Sequence, residues 1–305
     1  MTTREPAILD LYFQGMPHGI ASYILRGPNE VVMIETGPGS TVDHLARGLA
    51  GLGLRPTDVT HVLLTHIHLD HAGAAGWMAQ QGAQVYVHHV GERHLIDPSR
   101  LWASASRIYG DQMAPLWGEM LPIPPTQLHA LHDGDTLHLA GREIVALDTP
   151  GHASHHMAYW IDGLCFTGDL AAARIPHRRH VRVPTPPPDI DVPLWHRSIE
   201  RVRQLRPQRL YLTHFGPIDD VLPHLAQVDA NLDAMAAYIR QAMQTGADRA
   251  SLITAFAQWL EQQALADDGT TADAALYEMV TPTYMAVDGL QRFWRQQEKE
   301  TPPRP

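Results

Sequence analysis

The sequence predicts an α/β protein that finishes in helices, and three observations carry that expectation. Runs rich in β-branched and aromatic residues alternate with helix-period segments through about residue 217, and from Ile218 to Gln297 the pattern is helical. The 305 residues, 44% hydrophobic and only 18% charged, can bury one large core or a core plus an appendage, and they argue against disorder. Several of the residues with ligand or acid–base chemistry fall where a predicted strand runs out into a turn.

The elements follow in order. Residues 19–26 and 30–35 read as strands joined by a turn at Gly27-Pro28-Asn29. Glu35-Thr36-Gly37-Pro38-Gly39 is a tight loop. Ser40 is placed to cap a helix over about 41–52, with Asp43 at the capping-box position. The apolar run 59–64 reads as a buried strand. Asp70 is placed to cap the short helix after it, which is expected to end near Gly82. A strand at 84–88 leads into a helical and looped stretch over 91–118. Five strands are then expected near 127–130, 136–140, 142–147, 157–161 and 164–167, separated by Gly or Asp turns. Residues 174–193 read as loop, with Arg174, Arg178, Arg179 and Arg182 and a stop at Pro186-Pro187-Pro188. A helix at 194–205 and a strand at 209–212 follow. The C-terminal helices break near Gly246, at Asp267-Asp268-Gly269 and at Pro282. Val221, Leu225, Val228, Leu232, Met235 and Ile239 line one packed face.

Composition narrows the function. With 23 Lys and Arg against 33 Asp and Glu, the net charge is −10, which disfavours a general nucleic-acid or anionic-membrane surface. The only cysteine, Cys165, excludes an internal disulfide and any Cys-rich zinc site, and its Leu164 and Phe166 neighbours predict a buried thiol. No stretch reads as an export signal or a membrane span, so a cytoplasmic location is expected. Leu11-Tyr12-Phe13-Gln14-Gly15 looks like the end of a viral-protease site of the kind left by an expression tag. Its flanks read as continuous strand sequence, and it is taken as native.

The most telling stretch is Thr65-His66-Ile67-His68-Leu69-Asp70-His71, in which His66, His68, Asp70 and His71 follow the strand 59–64. If the segment is extended, His66, His68 and Asp70 share one face and His71 points elsewhere, so one loop can serve two neighbouring cations. A stray His-x-His is unremarkable among 20 histidines, but the full string after a strand is not. Three further places share this grammar. Asp148-Thr149-Pro150-Gly151-His152 follows one strand, Phe166-Thr167-Gly168-Asp169 another, and Leu210-Tyr211-Leu212-Thr213-His214 runs a strand into a histidine.

Together these motifs resemble the metallo-β-lactamase-fold hydrolase superfamily over about residues 8–220. The resemblance implies an αβ/βα sandwich of two mixed β-sheets flanked by helices. Residues 1–220 would then be the catalytic domain, and residues 221–305 a helical C-terminal region covering the active-site cleft. It further implies that His66, His68 and His152 bind a first metal, that Asp70, His71 and His214 bind a second, and that Asp169 bridges them. Zinc is the expected metal, with iron and manganese compatible with the same His and Asp donors. Two divalent cations a few ångströms apart share a water and lower its pKa towards neutrality, making a hydroxide nucleophile. Asp70 would also orient that nucleophile or carry a proton.

Within the superfamily, Asp169 stands where exported zinc β-lactamases usually carry Cys, and His68 where flavodiiron reductases place Glu. The complete second set, His71 and His214 included, argues against a mononuclear iron persulfide dioxygenase. What remains resembles the hydroxyacylglutathione hydrolase and lactonase branch. It implies hydrolysis of a small acyl ester, thioester or lactone, with no nucleic-acid or membrane partner. Phosphodiester hydrolysis, iron-dependent redox chemistry and a non-enzymatic binding role are the rivals. The Arg-bearing loop 174–182 is read either as facing an anionic substrate group or as solvated. His155, His156, His177 and His180 are candidates for supporting the ligands or meeting substrate, with ordinary polar roles the expectation. Tyr211, Tyr277 and Tyr284 are candidates for a substrate-polarising hydroxyl, with core packing the expectation. Phe293-Trp294 is expected to pack on the core or to form a homodimer contact.

Overall fold

The structure, a computed structural model, describes residues 5–300. Two six-stranded mixed sheets stack face to face, with helices outside both. The first runs in sequence order: β1 (Ala7–Asp10), β2 (Ala21–Arg26), β3 (Val31–Ile34), β4 (His61–Leu63), β5 (Gln84–His88) and β6 (Leu128–Leu131). β1 to β3 pair antiparallel and β3 to β6 parallel. The second holds β7 (Thr136–Leu139), β8 (Arg142–Asp148), β9 (Met157–Ile161), β10 (Leu164–Ala173), β11 (Arg209–His214) and β12 (Gly216–Ile218), where only β10 and β11 are parallel.

Alternation along the strands builds the core between the sheets. Tyr23, Val32, Ile34 and Leu63 of the first sheet meet Ile144, Met157, Tyr159, Phe166 and Tyr211 of the second. The first sheet's other face is covered by α1 (Val42–Gly51), α2 (Leu69–Ala72), α3 (Ala75–Gln80), α4 (Glu92–Ile96), α5 (Ser99–Tyr109) and α6 (Met113–Trp117). On the second sheet's other face lie α7 (Val192–Leu205) and α8 (Val221–Gln244), with α9 (Arg249–Ala266) and α11 (Thr283–Glu300) joining the same core from outside and α10 (Thr271–Val280) packing on α9. The expected apolar stripe on α8 is buried, and it shares one core with Cys165 and Leu210 of the sheet. Asp191 and Asp248 cap α7 and α9 by accepting main-chain N–H bonds. Phe293 is buried and the Trp294 indole donates to the Ala236 carbonyl, so the pair makes the expected core contact.

Four local expectations are corrected. The Ser40 hydroxyl donates to the Leu116 carbonyl rather than capping α1, whose N-cap is Thr41 without a side-chain bond. Asp70 lies inside the first turn of α2, whose N-cap is His68. The segment is therefore helical from Leu69, and Asp70 and His71 are presented by a turn of helix, not by extended chain. The strand expected at 164–167 continues to Ala173, through register shifts against β11 after Phe166 and Gly168. The Leu11–Gly15 segment, by contrast, agrees with its reading as native and packs as part of the fold: Leu11 and Phe13 are buried, and Phe13 stacks on Trp117.

Candidate metal centre

The structure brings all seven expected ligands to one edge of the sandwich. His66 and His68 lie in the turn between β4 and α2, and α2 supplies Asp70 and His71. His152 sits in the turn after β8, Asp169 in the irregular middle of β10, and His214 at the end of β11. Gly168 makes Asp169's position possible. Its φ is +49°, and a Cβ there would come within 2.5 Å of the Thr65 hydroxyl and 2.7 Å of His156 Nε2. Gly151, at φ +138°, lets the chain turn against Trp195 and aim His152 inward.

Two groups of donors match the expected sets, and they overlap, since His66 also lies with His71 and Asp169. His68 Nδ1 is 2.9 Å from His66 Nε2 and 2.9 Å from His152 Nε2. Asp169 Oδ2 is 3.2 Å from His152 Nε2, so one carboxylate oxygen faces this group. In the second group, Asp70 Oδ2 is 3.7 Å from His71 Nε2 and 3.5 Å from His214 Nε2. Asp169 Oδ1 faces these two imidazoles at 3.3 and 3.4 Å.

Bonds behind the rings fix which nitrogen points inward. His152 Nδ1 donates to the Pro184 carbonyl and His214 Nδ1 to the Gly19 carbonyl. Carbonyls only accept, so in the neutral ring Nε2 presents a lone pair to the centre. His71 Nδ1 faces Glu35 Oε2 at 3.3 Å, and Glu35 Oε1 accepts from the Thr65 amide. His156 Nε2 accepts from the Asp169 amide and its Nδ1 pairs with the Thr149 hydroxyl, which holds the bridging carboxylate's backbone.

These donors fit cations. His68 Nδ1 can carry one proton and satisfy one neighbour, yet two nitrogens face it. In the second group His71 Nε2, His214 Nε2 and Asp169 Oδ1 are buried with no hydrogen-bond partner, each such atom costing about 1–3 kcal/mol if left so. At the first group the electrostatics agree. Burial, with the neighbouring imidazoles, depresses His66 and His68, the latter to about 3, which keeps them in the neutral, ligating form. Burial also opposes charge on His71 and His214, but the Asp169 and Asp70 carboxylates outweigh it and lift both. Burial resists ionisation of the two aspartates in turn, and the imidazoles overcome it: Asp70 is held at about 2 and Asp169 well below its usual range.

A cavity of about 790 Å³ opens over the ligands. Its walls are largely apolar: Phe13, Ile20, Ile67 and Leu69, then Leu101, Ile108 and Trp117 from α5 and α6, and Met279, Val280 and Met285 from the α10–α11 connection. Asp70 reaches this space with its side chain 21% exposed, whereas Asp169 is nearly sealed.

Other candidates fall elsewhere. Arg174, Arg178, Arg179 and Arg182 pair with Asp220, Asp273, Asp268 and Glu278, so the loop is tied to the C-terminal helices rather than aimed at substrate. His180 bonds Asp267, and His177 is exposed. The Tyr211 hydroxyl donates to Glu5 and that of Tyr277 to the His180 carbonyl, while Tyr284 lines the cavity. His155 also lines it, and burial depresses it to about 3. Sequence reasoning missed Glu35, which it took as part of a tight loop. The available signal was a carboxylate at the end of the apolar run Val31-Val32-Met33-Ile34, the same grammar as the ligands.

A model of the metallo-beta-lactamase superfamily matches residues 15–214. The chain belongs to the metallo-beta-lactamase superfamily. It is 28% identical over 212 residues to the metallo-beta-lactamase fold-containing protein ST1585 of Sulfurisphaera tokodaii, covering 68% of this chain and 77% of that one. It is 30% identical over 122 residues to a hydroxyacylglutathione hydrolase of Vibrio cholerae, a match over 40% of this chain and only 37% of that enzyme. The crystal structure of the metallo-beta-lactamase family protein TTHA1429 from Thermus thermophilus superposes with a TM-score of 0.64, covering 92% of this chain and 89% of that one. At 24% identity that likeness carries the fold. As a superfamily member the chain is a metal-dependent hydrolase, and its two mixed sheets with flanking helices are the superfamily's fold. No helix among the described residues is long and apolar enough to cross a membrane.

Proposed function

We propose that the chain is a dinuclear hydrolase, with zinc as its expected metal, that cleaves a small acyl ester, thioester or lactone. The observation that carries this reading is the division of Asp169, one oxygen towards His152 and the other towards His71 and His214. One carboxylate thus faces both donor groups. His66, His68 and His152 would hold one ion and Asp70, His71 and His214 the other. Bound there, divalent cations would acidify a water and polarise the acyl oxygen.

The chain's own residues do the rest. Hydrogen bonds behind His152 and His214 preset each ring's direction, so little reorganisation is left for binding. Asp70, ionised and facing the cavity, would orient the attacking water by accepting its hydrogen bond. The apolar walls would hold the acyl body and exclude bulk water. They suit a carbon ester better than a phosphodiester.

The test is elemental analysis beside a substrate panel. Metal-replete protein should carry two equivalents and hydrolyse p-nitrophenyl esters, thioesters or lactones in preference to bis-p-nitrophenyl phosphate. Asp169→Ala should lose both metals and turnover together. Retention of two full equivalents in that variant rules out the shared carboxylate, and turnover confined to the phosphodiester overturns the acyl reading.

A further inference from the structure

The metal ligands aside, most ionisable groups on the cavity wall have partners. Asp189 accepts from the Ser154 hydroxyl, and Glu278 is engaged by Arg182 and Thr283. Two guanidiniums differ. Arg93 on α4 and Arg100 on α5 line the same cavity, and among the described residues neither has a carboxylate within ion-pair distance. Among the described residues the Arg93 guanidinium bonds only the neighbouring His94 ring, and that of Arg100 makes no hydrogen bond. The three groups are close enough that burial first, then Arg93 and Arg100, depress His94. The nearby acid Asp97 is turned to Ser99, whose bonds first and the Arg100 charge last hold it below its usual range without a direct ion pair.

A pair of unpaired arginines on a chain of net charge −10 marks a local exception to its acidic surface. Both are exposed residues lining a cavity whose walls are largely apolar, with the candidate metal ligands in the same space. Guanidinium forks recognise carboxylate and phosphate oxygens by paired N–H donors.

We propose that Arg93 and Arg100 form an anion-binding rim, so that the substrate combines an apolar acyl body with a carboxylate- or phosphate-bearing group that stays near the cavity mouth. The inference rests on the acyl-hydrolase reading for what is cleaved, but the rim itself is a binding site and can be examined without turnover. Rim charges on exposed residues act over short range and are screened by salt. The preference for an anionic ligand therefore weakens as ionic strength rises.

Calorimetric binding of three non-hydrolysable thioethers to metal-replete protein tests it: S-octyl coenzyme A, S-octylglutathione, and the neutral S-octyl N-acetylcysteamine. At least one anionic analogue should bind about tenfold or more tighter than the neutral one at low salt, and the advantage should shrink at high salt. In Arg93→Gln/Arg100→Gln protein that advantage should vanish while binding of the neutral analogue is unchanged. Which anionic analogue leads distinguishes phosphate from carboxylate. Equal binding of all three by the wild type, or an anionic advantage that survives both substitutions, overturns the rim. Absence of hydrolysis of any thioester, with the binding pattern intact, overturns the acyl-hydrolase reading instead.

Discussion

At Glu35 a single carboxylate does two jobs behind the candidate metal centre. It accepts from the Thr65 amide, next to His66, and it faces His71 Nδ1 from the far side of the ring. Outer partners of this kind typically cost 10–100-fold in metal affinity when removed. Glu35→Gln keeps the volume and the amide bond but removes the charge behind His71. If two ions bind as proposed, it should weaken the one held by Asp70, His71 and His214 by about 10–100-fold and leave the other nearly untouched, read by competition with a metallochromic chelator. Equal weakening of both ions, or of neither, would remove Glu35 from this role. The seven candidate ligands could be picked out because each sits within a short local string that the family resemblance marks, and the structure brings them together. Glu35 could not, because nothing local says that the imidazole it supports lies 36 positions along the chain.

At the level of elements, two joints decide whether the ligands meet. One is the turn after β8. A Cβ on Gly151 would lie 2.3 Å from Trp195 Cα and 2.5 Å from its backbone nitrogen, at a φ that L side chains avoid. Backbone cannot step aside as a side-chain tip can, so Gly151→Ala should cost about 3–5 kcal/mol and draw His152 out of place. A melting temperature within a degree or two of wild type would show that the turn is looser than this. The other joint is α8 on β10, where His224 Nε2 donates to the Ala171 carbonyl and Nδ1 faces Arg174. Burial depresses His224 to about 4, below the usual value near 6.5, so the folded state keeps it neutral where the unfolded chain takes up a proton. Its contribution is therefore full above about pH 6.5 and is lost as pH falls towards 4, by up to about 3 kcal/mol. Thermal melts from pH 7.5 to 4.5 should show a shallower loss for His224→Gln than for wild type. Parallel curves would discount the group. Element existence was readable from periodicity, and the strand at 157–161 and the helix breaks at Gly246 and Pro282 stand where expected. The continuation of β10 past Gly168 was not readable, since a bulge depends on its pairing with β11. The Ser40 hydroxyl was lost to Leu116 for the same reason: a partner distant in sequence outcompeted a local cap.

Across the whole molecule, the ligands come from both sheets. His66, His68, Asp70 and His71 follow β4 of the first, and His152, Asp169 and His214 belong to the second. Ions held there would join the two halves, and an ion bound only by the folded state stabilises it by mass action, by about 2.7 kcal/mol at a hundredfold excess over Kd. Removing metal with a chelator should therefore lower the melting temperature by several degrees as well as abolish turnover, with recovery on adding zinc. An unchanged melting temperature in demonstrably metal-free protein would mean the ions do not join the halves. The cavity was the least legible feature at this scale, because its walls combine residues near 13, 67, 101 and 285 that no local pattern associates.

Cys165 has a further consequence. It lies within β10 at zero exposure, between strands on both sides, and burial pushes its thiol up to about 12. A protected thiol of this kind is inert towards electrophiles until the sheet parts. Being the only one in the chain, it is a built-in clock for global opening. The rate at which a maleimide captures it, followed by mass spectrometry, counts how often β10 separates from its neighbours, with no engineered label.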